Sequence, residues 1–289
     1  MEMDKFVEKI REKLWGVIEG ITEIKATTVL KNNGVALHGL VFVDERSNIT
    51  PTVYLDNYYK MYRTGSHIDY LVKRIVDEYK RGRLQEQVDF SFFRDWEQVK
   101  SMVAFKLINK EWNRELLECV PYKEVLDLAM VFYVALPDMS GSILIYNNHM
   151  DMWGVDVEEL AQVAEENTPR ICPMCLLNLK KVMEEMTGEE ITEDMQMHIL
   201  TNQAKCMGAG VMLYPAVMEV VADMLHSDVY ILPASIHETL ILPVSNGDEP
   251  EMFLEMVKSV NGTAVEPEEL LSESVYIYRR KENKISMIE

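Results

Sequence analysis

The densest group of chemically able side chains is Ser235-Ile236-His237-Glu238. It lies between two apolar runs, 229–232 and 239–242, that read as strands. The sequence thus predicts a short loop on a rigid sheet, a setting that holds side chains well for function. His237 is a candidate general base, with Glu238 to orient it or a ligand. Ser235 completes a candidate hydrolytic set. No G-x-S-x-G elbow surrounds it, and no second histidine follows His237 at H-E-x-x-H spacing. The plainer alternative is a polar hairpin that satisfies its own backbone. Asn147-Asn148-His149, with Asp151 behind it, ends an earlier strand pair and is expected to be a loop at the same sheet edge as His237. Arg170 stands in a stretch, 156–199, with 11 acidic and three basic residues; it either pairs internally or binds an anion. Ser235, His237, Glu238, His149 and Arg170 are the candidate catalytic residues.

Cys172-Pro173-Met174-Cys175 has the spacing of a metal knuckle, but one knuckle gives two ligands and a tetrahedral zinc needs four. His198 and Cys206 are the available additions, at irregular spacing. Incidental thiols are the simpler reading, and no metal or cofactor is expected. No glycine-rich dinucleotide fingerprint follows a strand, and no phosphate-binding glycine-lysine loop is present. Kinase, zinc-finger and RNA-binding signatures are missing as well.

Such side chains need a scaffold, and the composition supplies one. The 289 residues are 48% hydrophobic and 27% charged, which fits a folded chain with a sizeable core. The formal charge of −19 is unevenly placed: residues 1–120 hold 19 acidic and 19 basic residues, whereas 121–289 hold 29 and 10. A surface so acidic repels nucleic acid and anionic membranes. The opening MEMDKFVEKI has no apolar signal region, and the apolar runs are too short to span a bilayer, so a cytoplasmic protein with reduced cysteines is expected. Sixteen of the 20 methionines follow residue 120, and core filling is their expected role.

Periodicity places the elements. Residues 4–19 read as an amphipathic helix ended by Gly20, and 26–31 and 35–43 as strands around Asn32-Asn33-Gly34, with a short strand at 51–54. Asp56 is expected to cap one helix, and Ser66 with Asp69 to box the next, which ends in Lys80-Arg81-Gly82-Arg83. A short helix then precedes a strand near 103–108. In the later part, strands are expected at 126–136, 142–147, 211–213, 229–232 and 239–242, with a turn at 137–141. Helices are expected from Asp156 to Glu166, after Pro215, and over 250–260. The expected fold is α+β: a mixed or mainly antiparallel sheet with helices packed on it and two strand-strand-helix units in the C-terminal part. The expected domains are 1–120, holding a helix, a hairpin and two helices, and 121–289, acidic and methionine-rich.

Stretches ITPTVYLDNYYKMY (49–62), SILIYNNHMDMWGV (142–155), ENTPR (166–170), MLYP (212–215), YILPASIHETLILP (230–243) and LLSESVYIY (270–278) cover nearly the whole chain in order. Together they resemble domain of unknown function 5688, a family of gut-dwelling Clostridia and relatives. The resemblance implies a bacterial, cytoplasmic protein and carries over no reaction, ligand or catalytic residue. The favoured function is a non-enzymatic binding or regulatory protein that docks a protein, a small molecule or a cationic partner. The alternative is a hydrolase with its site at the loops of His149 and His237.

Overall fold

The computed structural model describes residues 1–44, 51–82, 89–136, 141–192 and 195–288. It divides into two compact units, Met1–Ser91 and Phe92–Glu289. No helix among the described residues is long and apolar enough to cross a membrane.

In the first unit, α1 (Met3–Leu14) is followed by β1 (Ile21–Leu30), β2 (Ala36–Asp44) and β3 (Thr52–Tyr54), then α2 (Asp56–Arg63) and α3 (Ile68–Gly82). The strands form an antiparallel sheet in the order β1-β2-β3. Asn33 (φ 61°) and Gly34 (φ 70°) supply the left-handed backbone that reverses the chain into register at Leu30 and Ala36. Helix α1 buries Phe6, Ile10 and Leu14, three residues at four-residue steps, against Leu40, Phe42 and Val53 of the sheet and Leu71, Ile75 and Tyr79 of α3. It stops at Leu14, short of the expected residue 19, because Trp15 is already extended and Gly16 turns left-handed. Asp56 does not cap α2. Its carboxylate accepts the backbone N–H of His38 at 2.8 Å and lies 3.1 Å from that ring's Nδ1, tying α2 to β2. Arg83 lies outside the described residues.

The second unit begins with α4 (Trp96–Val99), β4 (Val103–Asn109), α5 (Arg114–Leu117), β5 (Tyr122–Val125), β6 (Leu128–Ala135) and β7 (Ser142–Leu144). It continues with α6 (Asn147–Trp153), α7 (Val157–Ile171), β8 (Met174–Asn178), α8 (Leu179–Thr187) and β9 (His198–Asn202). Next come α9 (Val217–Leu225), β10 (Val229–Pro233), β11 (Thr239–Pro243), α10 (Pro250–Thr263), β12 (Tyr276–Arg279) and β13 (Lys284–Met287). Among the described residues the unit holds two antiparallel sheets. One runs β4-β6-β5 with β7 also on β6; the other runs β13-β12-β10-β11-β9-β8. The α+β class with antiparallel sheets is therefore the fold. Strand β6 is buried at every position, which is why it reads as a continuous apolar run. Strand β10 splits its residues by parity. Val229 and Ile231 enter the main core with α9, while Tyr230 and Leu232 meet Val257 and Phe253 of α10 on the opposite face.

The structure departs from the sequence reading in several places. Strand β4 pairs with β6 from Val103↔Val134 to Asn109↔Leu128, so position 121 lies inside one sheet, and the units meet at 91 and 92. The change in charge and methionine content at 121 is a change of surface, not of folding unit. Residues 211–213 belong to a 3-10 turn, Gly208–Leu213, because Gly210 packs too closely on Phe105 for a strand with side chains: a Cβ there would lie 2.9 Å from the ring. Strand β7 ends at Leu144, and Asn147 opens α6. Helix α7 starts as expected, with Asp156 accepting from the N–H of Glu159, but runs on to Ile171. Its last turn is held on β4, where the Thr168 hydroxyl accepts the Phe105 N–H at 3.0 Å. Residues 137–140 of the expected turn lie outside the described residues. Of the fifteen later methionines among the described residues, three are buried and eight exposed, so core filling accounts for the smaller share.

Candidate functional site

The connection from β10 to β11 carries Ser235, His237 and Glu238. The turn is closed by the N–H of Ser235 donating to the Glu238 carbonyl at 3.1 Å. The Ser235 hydroxyl accepts the backbone N–H of His237 at 3.0 Å. Among the described residues no hydrogen bond joins that hydroxyl to an imidazole. The His237 ring is clamped between two other segments: Nδ1 accepts the N–H of Met207 at 3.1 Å, and Nε2 faces Glu269 Oε1 at 3.6 Å. Its carbonyl accepts the Thr201 hydroxyl at 2.8 Å. The chain at Gly208 runs so close that a Cβ would sit 2.6 Å from the His237 oxygen and 2.7 Å from the Asn202 nitrogen. In this geometry the serine serves its own turn, and the histidine ties three loops together.

His149 lies in the first turn of α6, where its Nδ1 accepts the N–H of Tyr146 at 3.2 Å. The ring stands edge-on to Phe93 and Tyr146, with centroids 5.0 and 5.7 Å away. Burial pushes its pKa below the ordinary histidine value. Arg170, on α7, donates to Asn167 Oδ1 at 2.5 Å, and Asn167 in turn donates to the carbonyls of Lys100 and Val103. Arg170 thus pairs internally. The expected common sheet edge does not exist: His149 follows a strand of the four-stranded sheet, and His237 lies within the six-stranded one. No hydrogen bond or ion pair among the described residues joins the two histidines. The structure therefore groups Ser235, His237 and Glu238 in one turn and leaves His149 and Arg170 in other surroundings.

The cysteine pair also separates. Cys172 is buried at the end of α7, its sulfur 3.7 Å from the Tyr133 hydroxyl, and burial pushes the thiol pKa up. Cys175 stands on β8 opposite Thr201. Among the described residues no three histidine, cysteine or carboxylate side chains converge as a metal set.

Two features escaped the sequence reading. Asp127, in the β5–β6 turn, accepts three hydroxyls: Ser272 at 2.5 Å, Tyr276 at 2.7 Å and Ser274 at 3.1 Å. Burial, and then the nearby Asp127 charge, push the Tyr276 pKa far above its ordinary value. Asn261 and Asn109 brace the same segment by donating to the carbonyls of Ser272 and Leu271. Beside this knot a cavity of about 320 Å³ opens on Met212, Tyr214, Met218 and Tyr278, with Glu219 and Lys284 on its lining. Three lining residues with side chains hold left-handed backbone: Leu126 (φ 57°), Ala216 (φ 58°) and Asn283 (φ 48°). Asparagine adopts this region readily, but for Leu126 and Ala216 it costs about 1 kcal/mol or more each, and such residues collect where a shape is being enforced. The Tyr278 hydroxyl is oriented by donating to Asn283 Oδ1 at 2.8 Å. Its pKa is raised by burial first and then by the carboxylates of Glu219 and Asp223. The only sequence signals were Leu126-Asp127 interrupting two apolar strands and the hydroxyl-rich Ser272-Glu273-Ser274. Nothing local says that Asp127 and residues 272–276 meet.

No curated protein and no solved structure matches the chain. A family model matches residues 3–280, almost end to end, a span that includes the Asp127 knot, the cavity up to Tyr278 and the His237 turn: the chain belongs to the Family of unknown function (DUF5688).

Proposed function

We propose that the protein is a binding protein whose second unit takes up a small organic cation with an apolar body. The carrying observation is the 320 Å³ cavity, at the small end of the roughly 300–1,000 Å³ typical of ligand pockets. Met212 and Met218 offer adaptable apolar contact, and the rings of Tyr214 and Tyr278 offer faces to a cation. Glu219 is exposed on the lining and has no ion-pair partner among the described residues. Lys284 opposes it. Arg280 is held by Asp223 at 2.5 Å, and at the Tyr278 hydroxyl burial and then the carboxylates of Glu219, Asp223 and Asp228 raise the pKa against the opposing effect of Arg280. The surrounding unit holds 34 acidic and 15 basic residues, which draws cations toward it and keeps polyanions away.

The test is calorimetric titration of the full chain with phenethylamine and with phenylacetate, two probes of one body and opposite charge. The amine is expected to bind in a 1:1 ratio, and Glu219→Gln to weaken it about tenfold, the loss of one charge-assisted hydrogen bond. Equal binding of phenylacetate, or an unchanged affinity in the Glu219 variant, would overturn the proposal.

A further inference from the structure

A larger cavity, of about 580 Å³, lies in the first unit. It has the opposite character. Its lining includes Lys9 and Lys13, one turn apart on α1, Arg63 at the end of α2, and His67 just before α3. The three cations come from two helices, and His67 leads into a third, onto one concavity, inside a unit whose 14 acidic and 14 basic residues balance. Asp69 is the single carboxylate on that lining. Lys13 holds it at 2.7 Å, and its pKa is depressed by Lys13 first, with His67 and Lys9 adding to the effect. Lys9 and Arg63 have no carboxylate within ion-pair distance among the described residues. The lining also includes Ser66, Ile68 and Asp69 at the start of α3, a 15-residue helix whose dipole adds positive potential there. The Tyr62 ring, tilted on Phe6 with centroids 5.4 Å apart, gives the concavity a firm aromatic wall.

We infer that this concavity binds a phosphorylated small molecule, with Lys9 and Arg63, which have no ion-pair partner among the described residues, holding the phosphate and Tyr62 supporting the attached body. Two such cations converging beside a helix start suit a doubly charged phosphate better than a single carboxylate, because each charge on the ligand meets its own cation. The site is independent of the cation cavity of the second unit and stands or falls apart from it.

The experiment titrates the full chain with pyrophosphate, with AMP and with citrate, at low salt, and follows heat and melting temperature. Pyrophosphate and AMP are expected to saturate at one equivalent. The double variant Lys9→Gln/Arg63→Gln changes only exposed side chains; it is expected to keep the wild-type melting temperature and to lose about tenfold or more in affinity. Glu219→Gln is expected to leave phosphate binding unchanged. AMP binding more tightly than pyrophosphate identifies the aromatic wall as part of the site, and Tyr62→Leu should then remove that margin. Absence of a saturable phosphate response would overturn the inference. So would an undiminished response in the double variant, or citrate binding as tightly as pyrophosphate.

Discussion

The two units solve the same problem, reversing the chain, by different means. Among the described residues the first unit places left-handed backbone on four glycines (Gly16, Gly20, Gly34, Gly65) and on one asparagine, Asn33. The second uses three glycines, one asparagine, Asn283, and five other residues with side chains: Leu126, Lys205, Met207, Ala216 and His226. The first is charge-balanced; the second carries the whole net charge of −19. Turns of the first kind are written locally, because glycine and asparagine accept positive φ at little cost. Turns of the second kind are imposed by packing around them, and that packing must be strong enough to hold the strain.

If each unit rests on its own core, core damage should stay local. Phe6 is fully buried against Tyr59 and Tyr62. Phe6→Ala is expected to cost about 3–5 kcal/mol in the first unit. In the second, Gly208→Ala must force backbone apart at His237 and Asn202 and is expected to cost about 3 kcal/mol or more. Urea unfolding of the full chain, followed by circular dichroism and tryptophan emission, should show one transition moving in each variant while the other stays. A single transition that shifts in both would break the comparison.

The strained turns of the second unit need anchors, and Asp127 is the clearest. Asp127→Asn keeps the shape but replaces one acceptor oxygen with a donor facing the hydroxyls of Ser272, Ser274 and Tyr276. The expected cost is about 2–3 kcal/mol, that of leaving buried hydroxyls without an acceptor. Leu126 should loosen with it, so amide exchange at 125–128 should accelerate more than at the hairpin of β1 and β2. Equal protection at both places would show that the left-handed turn does not depend on the knot.

This contrast also explains what could be read in the sequence. The first unit was legible: an apolar stripe on α1, Asn32-Asn33-Gly34 in the hairpin, and the stripe on α3 are local signals. So were the buried run of β6, the Asp156 cap and the β10–β11 pair. What failed was non-local. Gly208-Ala209-Gly210 followed by apolar residues reads as a strand approach, and only its closeness to Thr201, His237 and Phe105 makes it a 3-10 turn. His149 looked like a loop residue because its role, accepting the Tyr146 N–H at a helix start, belongs equally to polar turns. That His149 and His237 follow strands of different sheets depends on strand order, which no spacing reveals. The cavity beside the Asp127 knot is built from residues between 125 and 285, and its defining feature is backbone shape rather than residue type.

His149 offers a smaller test, specific to the second unit. Burial disfavours its imidazolium, so its folded pKa lies below the ordinary value near 6.5. The contribution is complete above that ordinary value. As pH falls below it, the unfolded chain takes up the proton first, and stability declines until the folded pKa is passed. The slope from one such group is at most about 1.4 kcal/mol per pH unit. His149→Phe keeps the aromatic packing with Phe93 and should flatten the acid side of the pH curve, by no more than this amount. Parallel wild-type and variant curves from pH 7.5 to 5 would show that the ring titrates as freely folded as unfolded.

The finest test exchanges the two ways of turning. Ala216 is exposed at φ 58°, so its Cβ adds strain and little packing. Glycine there removes about 1 kcal/mol of strain and returns about half of that or more as unfolded-chain entropy, for a net gain near 0.5 kcal/mol at most. The reciprocal change, Gly34→Ala in the first unit, meets open space at φ 70°, so nothing but backbone strain opposes it. It should lose about 1 kcal/mol. Opposite signs in the two units would confirm that one stores strain and the other avoids it. A loss on Ala216→Gly would mean that the methyl group itself is packed and that the left-handed turn beside the cavity is favoured by contact rather than merely endured; phenethylamine affinity measured on the same variant then tells whether that contact shapes the site.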